Sequence, residues 1–533
     1  DPETAMRNFA VARRRGLSDH DRNWLDRMIE QSRRTRDERL FEHLPQASPP
    51  VGERKLTIGM ATYDDYDGVY FSVMAIRLYH PEITDDTEIL VVDNNPGGRC
   101  SKPLRSLADR VSGLRYVPVG GIHSTAVRDV VFNEASGDYV LCIDSHVMLA
   151  PGSIRRFIDF LDRHPDCEDL LQGPLLDDST ASVSTHFAPV WRAGMYGVWD
   201  RDPRGRDPEG APFEIPMQGL GLFGCRRRAW PGFNPKFRGF GGEEGYIHEK
   251  FRRAGRKALC LPFLRWIHRF DRPEGAPYKP RWRDRYRNYM IGFEETGLDT
   301  RPIDQHFETL LGRDELESLQ SAFREEKDNP FYFFDAIFCI NIDHQTERWS
   351  SMQDRFRSLG IEPRVTRFSA VETPGNHHVG CALSHRFIIE QAKRLGLRNV
   401  LVFEDDAVFH RDTLALLGPA VRELAAQDWA LFYLGGHKWN RDFPLCDGCS
   451  HLEAVRGVTT THAIAYHHSI FDKLLHDVPG SLGEVEKWLE IHAGIDQYLA
   501  RLECAFMARP TLATQPAIAI TQDTWPKLAP TGA

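Results

Sequence analysis

The sequence lacks any long apolar segment. Its apolar runs, such as Tyr139 to Ile143 and Asn399 to Phe403, fall far short of the roughly 20 residues that a membrane-spanning helix needs. Residues 1–50 contain no apolar stretch of the kind found at the centre of a signal peptide. We therefore expect a soluble protein without a transmembrane segment.

Cysteine is scarce, and neither sign of charge dominates. The 10 cysteines are scattered over 533 residues, which is not the density of a disulfide-stapled secreted domain, so we expect a cytoplasmic protein. Lys and Arg number 67 against 76 Asp and Glu, a net charge of −9. This balance provides no overall positive field for a polyanion. Nucleic acid is therefore not the expected partner, although a nucleic-acid acceptor is not excluded.

What the chain does contain is enough apolar material to form cores. Hydrophobic residues make up 41% of the sequence, which excludes a disordered or fibrous protein, and the length suggests two to four domains. Apolar runs of strand and helix length alternate in two regions, which predicts α/β units with mostly parallel sheets. We expect a helical extension at 1–50, an α/β domain at 54–276, a helical linker at 277–330 and a second α/β domain at 331–533.

A short polar motif follows one of the predicted strands. Asp144, Ser145 and His146 come directly after the run Tyr139 to Ile143, and ligands of open α/β sheets bind at the carboxyl ends of strands. A carboxylate and an imidazole, with phosphate oxygens at the remaining positions, suit an ion such as Mn²⁺ or Mg²⁺ better than a closed zinc site. The alternative is an ordinary turn at the end of a strand.

This motif stands in a recognisable order with others. Thr57 to Tyr63, Ile89 to Asn95 and Ala126 to Asp129 precede it, and the stretch from Lys55 to Asp271 resembles glycosyltransferase family 2. Asp-Ser-His itself resembles the metal motif of the polypeptide N-acetylgalactosaminyltransferases of family 27. The resemblance implies a GT-A fold, a Rossmann-like fold that binds nucleotide-diphosphate sugars. It implies nucleotide contacts from Thr62, Asp93, Arg128 and Asp144, and a metal bound by Asp144, His146 and His268.

Two adjacent carboxylates follow a glycine-rich segment further along. Gly239 to Gly242 allow close approach of a sugar to the backbone, and Glu243 and Glu244 can bind acceptor hydroxyls or accept a proton. The alternative is that they only place negative charge in the first turn of a helix. Family 2 enzymes are typically inverting, with the second acidic residue as the base, whereas the retaining family 27 has Asn there. Glu244 therefore favours inversion.

A second acidic motif follows the run Asn399 to Phe403. Glu404, Asp405 and Asp406 repel each other, so a divalent cation or a set of hydrogen bonds is needed to keep them ionised. Alternate residues of an extended segment project to the same side, so we expect Glu404 and Asp406 nearest to such an ion. A solvated acidic turn is the alternative.

The surrounding motifs carry a second resemblance. Ala336 to Asp343, Gly380 to His385 and Glu404 to Asp406 occur in the order seen in glycosyltransferase family 25, and the resemblance runs from about Phe334 to Trp525. That family includes lipopolysaccharide galactosyltransferases and collagen hydroxylysine galactosyltransferases. The resemblance implies a second GT-A domain, with Asn341 and Glu404 at the nucleotide, Glu404, Asp405 and Asp406 at the metal, and Asp496 as an acceptor contact or general base. The terminal family pattern of Gln followed by Ser-Asp-Ile is present only loosely, beginning at Gln515.

Together these features predict a bifunctional, metal-dependent glycosyltransferase. Its donors would be nucleotide-diphosphate sugars such as UDP-sugars, its ion Mn²⁺ or Mg²⁺, and its acceptor a hydroxyl group of a glycan or glycoconjugate that receives two sugars in sequence. One alternative keeps a single active domain and makes the other a non-catalytic module that binds acceptor or carbohydrate. Another is a carbohydrate-binding protein without activity. The sequence leaves the acceptor open among glycan, protein, lipid-linked sugar and hydroxymethylated nucleobase.

Overall fold

The computed structural model describes residues 54–120, 124–270, 281–373, 375–439 and 443–515. The helix predicted within residues 1–50 lies outside these ranges. Among the described helices, none combines the length and the apolar character needed to cross a membrane.

The first half opens with four parallel strands separated by helices. The strands are β1 (Arg54–Thr62), β2 (Thr87–Asp93), β3 (Leu114–Pro118) and β4 (Gly137–Asp144), and the intervening helices are α1 (Tyr66–Tyr79), α2 (Ser101–Arg110) and α3 (Arg128–Glu134). Most of β1 and all of β2 are buried, as expected for parallel strands that helices cover on both faces. Thr62 pairs with Asp93, and Ala61 pairs with Asp144. The carboxyl ends of these strands therefore meet at one edge of the sheet.

The remaining elements of the first half extend this sheet and cover its carboxyl edge. The main sheet has eight strands in the order β11-β13-β6-β12-β4-β1-β2-β3, and a smaller sheet has the order β5-β14-β7-β8. The added elements are β5 (Val147–Leu149), α4 (Ser153–Arg163), β6 (Leu170–Gln172), β7 (Leu175–Leu176), β8 (Val183–Ser184), β9 (His186–Arg192), β10 (Met195–Asp200), β11 (Phe213–Glu214), β12 (Leu222–Arg226), α5 (Glu244–Arg253), β13 (Ala258–Cys260) and β14 (Trp266–His268).

Three helices follow in the region predicted as a linker. They are α6 (Trp282–Glu295), α7 (Arg301–Leu311) and α8 (Arg313–Asp328). Their apolar residues, among them Tyr289, Phe307 and Phe323, belong to the same buried cluster as β12 and α5. These helices therefore pack as part of the first hydrophobic core and do not form a separate spacer.

The second half is built around a sheet of seven strands, in the order β16-β15-β17-β23-β19-β24-β21. Its elements are β15 (Ala336–Asn341), α9 (Thr346–Ser358), β16 (Val365–Ser369), α10 (His377–Arg394), β17 (Asn399–Glu404), β18 (Val408–Phe409), α11 (Thr413–Leu424), β19 (Leu431–Tyr433), β20 (His437–Lys438), β21 (Leu452–Val455), β22 (Val458–Thr459), β23 (Ala463–His467), α12 (Phe471–Asp477), α13 (Leu482–His492), α14 (Ile495–Leu499), β24 (Ala505–Ala508) and β25 (Ala513–Thr514).

The two main sheets have the same topology, although no sequence repeat is visible. In each sheet, two parallel strands lie beside a third that ends in a carboxylate, β4 in the first half and β17 in the second. The next strand, β12 or β23, is antiparallel, and the strands beyond it follow in the same order and directions. The strand β3 at the edge of the first sheet is the addition. The carboxyl ends of β4 and β17 therefore occupy equivalent positions in the two sheets.

Candidate functional site

The three residues expected to bind metal in the first half lie together. Asp144 ends β4, His146 follows two residues later, and His268 ends β14, which pairs with β5 just after His146. The Nε2 atoms of His146 and His268 are 3.1 Å apart, and His268 Nε2 lies 3.3 Å from Asp144 Oδ2. Their candidate ligand atoms all lie within 4.8 Å of one another. The cluster can hold one divalent ion.

A residue that sequence reasoning missed orients this cluster. Asp65 caps the N-terminus of α1, where it accepts a hydrogen bond from the backbone N–H of Gly68, and its Oδ2 lies 2.8 Å from Ser145 Oγ and 3.0 Å from His146 Nδ1. Burial would raise the pKa of Asp65, but the hydrogen bonds from His146 and Ser145 hold it well below its usual range. A histidine that donates Nδ1–H to a carboxylate presents the Nε2 lone pair to a metal. The one signal in the sequence was an Asp directly before a helical run.

Arg128 keeps the central carboxylate charged. It begins α3, and its Nη2 donates to Asp144 Oδ1 at 2.8 Å. Burial would raise the pKa of Asp144, but the charge of Arg128 and the hydrogen bond from His268 hold it well below its usual range. The positive charge of Arg128 also acts on Glu243. Arg128 therefore links the metal cluster to the pair of glutamates.

A cavity of about 570 Å³ opens beside the cluster, between the two halves of the chain. This volume is typical of pockets for small ligands and cofactors. The first half contributes Thr62, Arg128, Asp144 and His146 to its wall, and the second half contributes Phe338, Arg364, Thr366, Leu395 and Leu397. The second half therefore completes the pocket next to the metal cluster of the first.

The two other residues expected at the nucleotide differ in their surroundings. Thr62 lines the cavity, and its buried hydroxyl has no hydrogen-bond partner among the described residues. Asp93 is 1% exposed and lies outside the cavity wall. Its Oδ2 accepts hydrogen bonds from Ser101 Oγ at 2.8 Å and Tyr116 Oη at 2.6 Å. Asp93 therefore holds the chain after β2, while the next residue, Asn94, reaches the cavity.

Glu243 and Glu244 are buried at the N-terminus of α5. Each has one carboxyl oxygen without a hydrogen-bond partner among the described residues. Burial, together with the adjacent charge of Glu243, raises the pKa of Glu244 to about 8. Gly242, just before them, has φ +95°, and a Cβ there would lie 3.0 Å from Asn288 Cβ. The glutamates lie behind this glycine turn and outside the cavity wall.

In the second half, Glu404 ends β17 and meets two residues of α10. Glu404 Oε1 accepts a hydrogen bond from Thr461 Oγ1 at 2.6 Å and lies 3.6 Å from His385 Nε2 and 3.8 Å from Cys381 Sγ. Cys381 and His385 lie one helical turn apart, and with Glu404 they form the other described group able to hold a metal. Both residues belong to the family 25 pattern, but no role was predicted for them.

Asp405 and Asn341 are joined by a hydrogen bond. Asn341 Nδ2 donates to Asp405 Oδ2 at 2.7 Å, and Arg348 Nη1 donates to Asp405 Oδ1 at 2.8 Å. The remaining amide oxygen of Asn341 accepts a hydrogen bond from Arg367. Asp405, predicted as a metal ligand, and Asn341, predicted at the nucleotide, are therefore engaged within the protein. The strand β17 ends at Glu404, and Asp405 and Asp406 lie in the turn that follows it, so the alternation of an extended segment does not apply to them.

Asp406 and Asp496 complete the surroundings of Glu404. Gln515 Nε2 lies 3.5 and 3.4 Å from the two carboxylate oxygens of Asp406. Burial and the charge of Glu404 raise the pKa of Asp406. Asp496 accepts a hydrogen bond from the backbone N–H of Thr460 at 3.1 Å, and its charge, after burial and Glu404, helps to raise the pKa of Cys381. The predicted acidic residues thus lie around one strand end.

Each half of the chain contains a segment that matches a protein-family model. Residues 57–175 match the model of glycosyl transferase family 2, and residues 372–447 match that of glycosyltransferase family 25, described as an LPS biosynthesis protein. Both resemblances seen in the sequence are therefore confirmed. The chain thus contains one segment similar to each of the two glycosyltransferase families, and the two segments lie in different α/β units.

Individual relatives match this chain over a limited length or at low identity. A curated Bos taurus protein named "Probable inactive glycosyltransferase 25 family member 3" is 35% identical over 217 residues, which are 34% of this chain and 36% of the relative. The match thus spans about a third of that protein. Among solved structures, GalNAc-T7 with UDP, GalNAc and Mn²⁺ gives a TM-score of 0.39 at 15% identity, covering 52% of this chain and 54% of the other. Mannosyltransferase PcManGT from Pyrobaculum calidifontis, in complex with GDP-Man and Mn²⁺, gives a TM-score of 0.33 at 16% identity. That match covers 55% of this chain and 81% of the other.

Proposed function

We propose that the first half transfers a sugar from a nucleotide-diphosphate sugar to an acceptor hydroxyl in a metal-dependent reaction. The observation that carries this proposal is the cluster of Asp144, His146 and His268 on the sheet edge, with Asp144 and His146 in the wall of the junction cavity. The family 2 match supports the class of reaction. We propose a UDP-sugar as the donor and a glycan or glycoconjugate as the acceptor.

The donor set fits a divalent ion. His146 is fixed by Asp65 with Nε2 directed at His268 Nε2, and Asp144 is kept ionised by Arg128. One carboxylate and two imidazoles, with phosphate oxygens of the donor at the remaining positions, can accommodate a divalent ion such as Mn²⁺. When bound, such an ion would neutralise charge that develops on the departing diphosphate.

The protein's own groups supply the other steps. The hydroxyl of Thr62, which has no hydrogen-bond partner within the described parts of the chain, lies on the cavity wall and can make a polar contact with the nucleotide. Glu244 is our candidate base for the acceptor hydroxyl, with Glu243 beside it and Arg128 close enough to stabilise negative charge on the pair. The apolar residues Phe338, Leu395 and Leu397 of the second half close the cavity, which helps to exclude hydrolytic water.

We further propose a second transfer site in the second half, which would make the chain bifunctional and allow two sequential additions to one acceptor. Two observations favour it: the sheet has the topology of the first half, and Glu404, Asp406 and Asp496 lie at the corresponding strand end. Asp496 is the candidate base there. The alternative is that the second half only forms the wall of the junction cavity and binds acceptor.

The test uses the full chain and a panel of nucleotide sugars, with and without Mn²⁺. We expect metal-dependent release of nucleotide diphosphate. Asp144→Asn should abolish the reaction assigned to the first half, and Asp406→Asn the reaction assigned to the second. The matched controls are Asp138→Asn, an exposed position on β4, and Asp412→Asn, an exposed position before α11. Full activity of Asp144→Asn would refute the first site, and activity that only Asp144→Asn removes would favour a single active half.

A further inference from the structure

We propose that the two halves hold metal ions at topologically equivalent positions with different ligands, so that their metal preferences differ. The first half would use Asp144, His146 and His268, and the second half Glu404, Asp406 and Gln515. This inference rests on the proposed function, since it concerns the metal at each transfer site. It adds a ligand, Gln515, and a difference in selectivity between the sites.

The first two ligands correspond through the sheet. Asp144 ends β4, and its backbone N–H donates to the carbonyl of Gly221, next to β12. Glu404 ends β17, and its backbone N–H donates to the carbonyl of His462, next to β23. Because β12 and β23 are equivalent antiparallel strands, Glu404 takes the place of Asp144. Two residues further on, Asp406 takes the place of His146.

The third ligand corresponds through the small sheets at the carboxyl edge. β14 pairs antiparallel with β5, and His268 lies opposite Val147, the residue after His146. β25 pairs antiparallel with β18, and Thr514 lies opposite Val408. Continuing this register by one residue places Gln515 opposite Ala407, the residue after Asp406. Gln515 therefore takes the place of His268, and its amide lies against Asp406 as His268 lies against His146.

A buried histidine contacts Glu404 in the way that Arg128 contacts Asp144. His385 Nε2 is fully buried, has no hydrogen-bond partner among the described residues and is directed at Glu404 Oε1 from 3.6 Å. Arg128 makes the equivalent contact with Asp144 Oδ1 in the first half. Thr461, Cys381 and His385 all approach Oε1 of Glu404. The other carboxylate oxygen, Oε2, is the one we assign to the metal.

The two ligand sets differ in chemistry. Two imidazoles and one carboxylate favour ions such as Co²⁺ or Zn²⁺, whereas carboxylate and amide oxygens favour Mg²⁺, Ca²⁺ and Mn²⁺. The competing arrangement places an ion on Cys381, His385 and Glu404, with a thiolate ligand. Thiolate ligation favours soft ions and would reverse the expected preference of the second half.

The experiment measures metal binding to the full chain, without a sugar donor. One protein carries Asp144→Asn and His268→Ala, which leaves only the second site, and another carries Asp406→Asn and Gln515→Ala, which leaves only the first. Each is titrated with Co²⁺ alone, followed by its absorption, and with Mg²⁺ in competition with Mn²⁺, followed by the paramagnetic resonance of free Mn²⁺. We expect the preference for Co²⁺ over Mg²⁺ to be at least about tenfold larger at the first site.

A ligand exchange and a sulfur control complete the test. In the protein that retains only the second site, Asp406→His with Gln515→His should move the preference toward that of the first site, while circular dichroism and the thermal midpoint show that the fold is kept. Equal preferences at both sites would overturn the proposal. So would a sulfur-to-cobalt charge-transfer band that Cys381→Ala removes and Cys446→Ser keeps. Because sugar transfer is assayed separately, transfer by both halves with equal metal preferences would reject this inference and leave the proposed function intact.

Discussion

Asp65 and His146 are joined by a contact of 3.0 Å between a carboxylate oxygen and ring Nδ1, across 81 positions of sequence. The same carboxylate caps helix α1 by accepting a hydrogen bond from the backbone N–H of Gly68. One side chain thus fixes both the start of a helix and the orientation of a candidate metal ligand. The orientation of the imidazole depends on where α1 begins.

This relationship predicts that Asp65→Ala weakens metal binding at the first site. We expect Mn²⁺ affinity to fall about 10- to 100-fold, the usual effect of removing a hydrogen-bond partner of a ligating histidine. Loss of the helix cap should also cost about 1 kcal/mol of folding free energy. Calorimetric Mn²⁺ titration and urea unfolding measure the two effects.

The matched control removes a cap without touching the first metal cluster. Asn376 caps α10 in the second half by accepting a hydrogen bond from the backbone N–H of His378. We expect Asn376→Ala to lose similar stability, again about 1 kcal/mol, with unchanged Mn²⁺ affinity at the first site. If both variants weakened that affinity equally, the effect of Asp65 would be one of general stability.

A second prediction concerns the buried ion pairs that join the halves. Glu326 of α8 accepts hydrogen bonds from Arg287 and Arg238 and lies 3.8 Å from Arg364 of the second half. Removing the carboxylate leaves buried guanidinium groups unpaired, so we expect Glu326→Gln to cost about 3–5 kcal/mol. Urea unfolding at neutral pH measures this loss. The control is Glu325→Gln at the exposed neighbouring position, which should be nearly neutral.

The contacts of Glu326 with these three arginines also predict that the stability of the protein depends on pH. Burial opposes ionisation of Glu326, but Arg287, Arg238 and Arg364 lower its pKa from 4.5 to about 2. Because the folded pKa lies below the unfolded one, its stabilisation is complete above about pH 4.5 and is lost as the pH falls through about 2. The stability difference between wild type and Glu326→Gln should therefore be constant from pH 7 to 5 and smaller at pH 3. If the stability difference at pH 3 equalled that at pH 5 to 7, the low pKa of Glu326 would be contradicted.

The sequence was informative wherever a strand ended. Apolar runs located β4 and β17, and because parallel strands share one carboxyl edge, Asp144 and Glu404 could be assigned to sites from their positions directly after those runs. The family resemblances supplied the rest of the architecture.

Such patterns do not predict contacts between segments that are distant in sequence. The pairing of His385 with Glu404, like that of Asp65 with His146, depends on how a helix packs against a strand end, which no local spacing encodes. The helices after residue 281 illustrate a different limit. Their charged surfaces suggested a linker, although buried residues such as Tyr289 and Phe307 carried the signal of a helix packed on a core.

A third prediction separates two neighbouring carboxylates of the second half. Asp405 accepts short hydrogen bonds from Asn341 and Arg348, whereas the described hydrogen-bond partner of Asp406 is Gln515 at 3.4 to 3.5 Å. We expect Asp405→Ala to cost about 1–3 kcal/mol, because it removes the shorter of the two hydrogen bonds that the buried amide nitrogen of Asn341 donates. Asp406→Ala should lose less stability and more Mg²⁺ affinity. Unfolding and metal titration of both variants check this, and a larger stability loss in Asp406→Ala would reverse the assignment.

The last prediction concerns the pH profile of the first half. A base must be ionised to accept the proton of the acceptor hydroxyl, and burial with the adjacent Glu243 raises the pKa of Glu244 to about 8. We therefore expect kcat/KM of the first reaction to rise with pH up to about 8 and then to level off. The profile should flatten in Glu244→Gln and persist in Glu249→Gln, a control on the same helix that pairs with Arg252.

The stereochemical outcome decides what Glu244 does. Inversion by direct displacement needs a base opposite the leaving diphosphate, and a carboxylate can serve where the Asn of the retaining family cannot. We expect an inverted anomeric configuration in the first product, read by proton NMR. We also expect Glu244→Gln to lower turnover by about 10²- to 10⁴-fold, with UDP binding unchanged by calorimetry.

Because Glu243 and Glu244 share one buried environment, Glu243→Gln should lower the pKa of Glu244 and shift the pH profile of kcat/KM to lower pH. A retained configuration, or near-full turnover in Glu244→Gln, would mean that the two glutamates only position the acceptor.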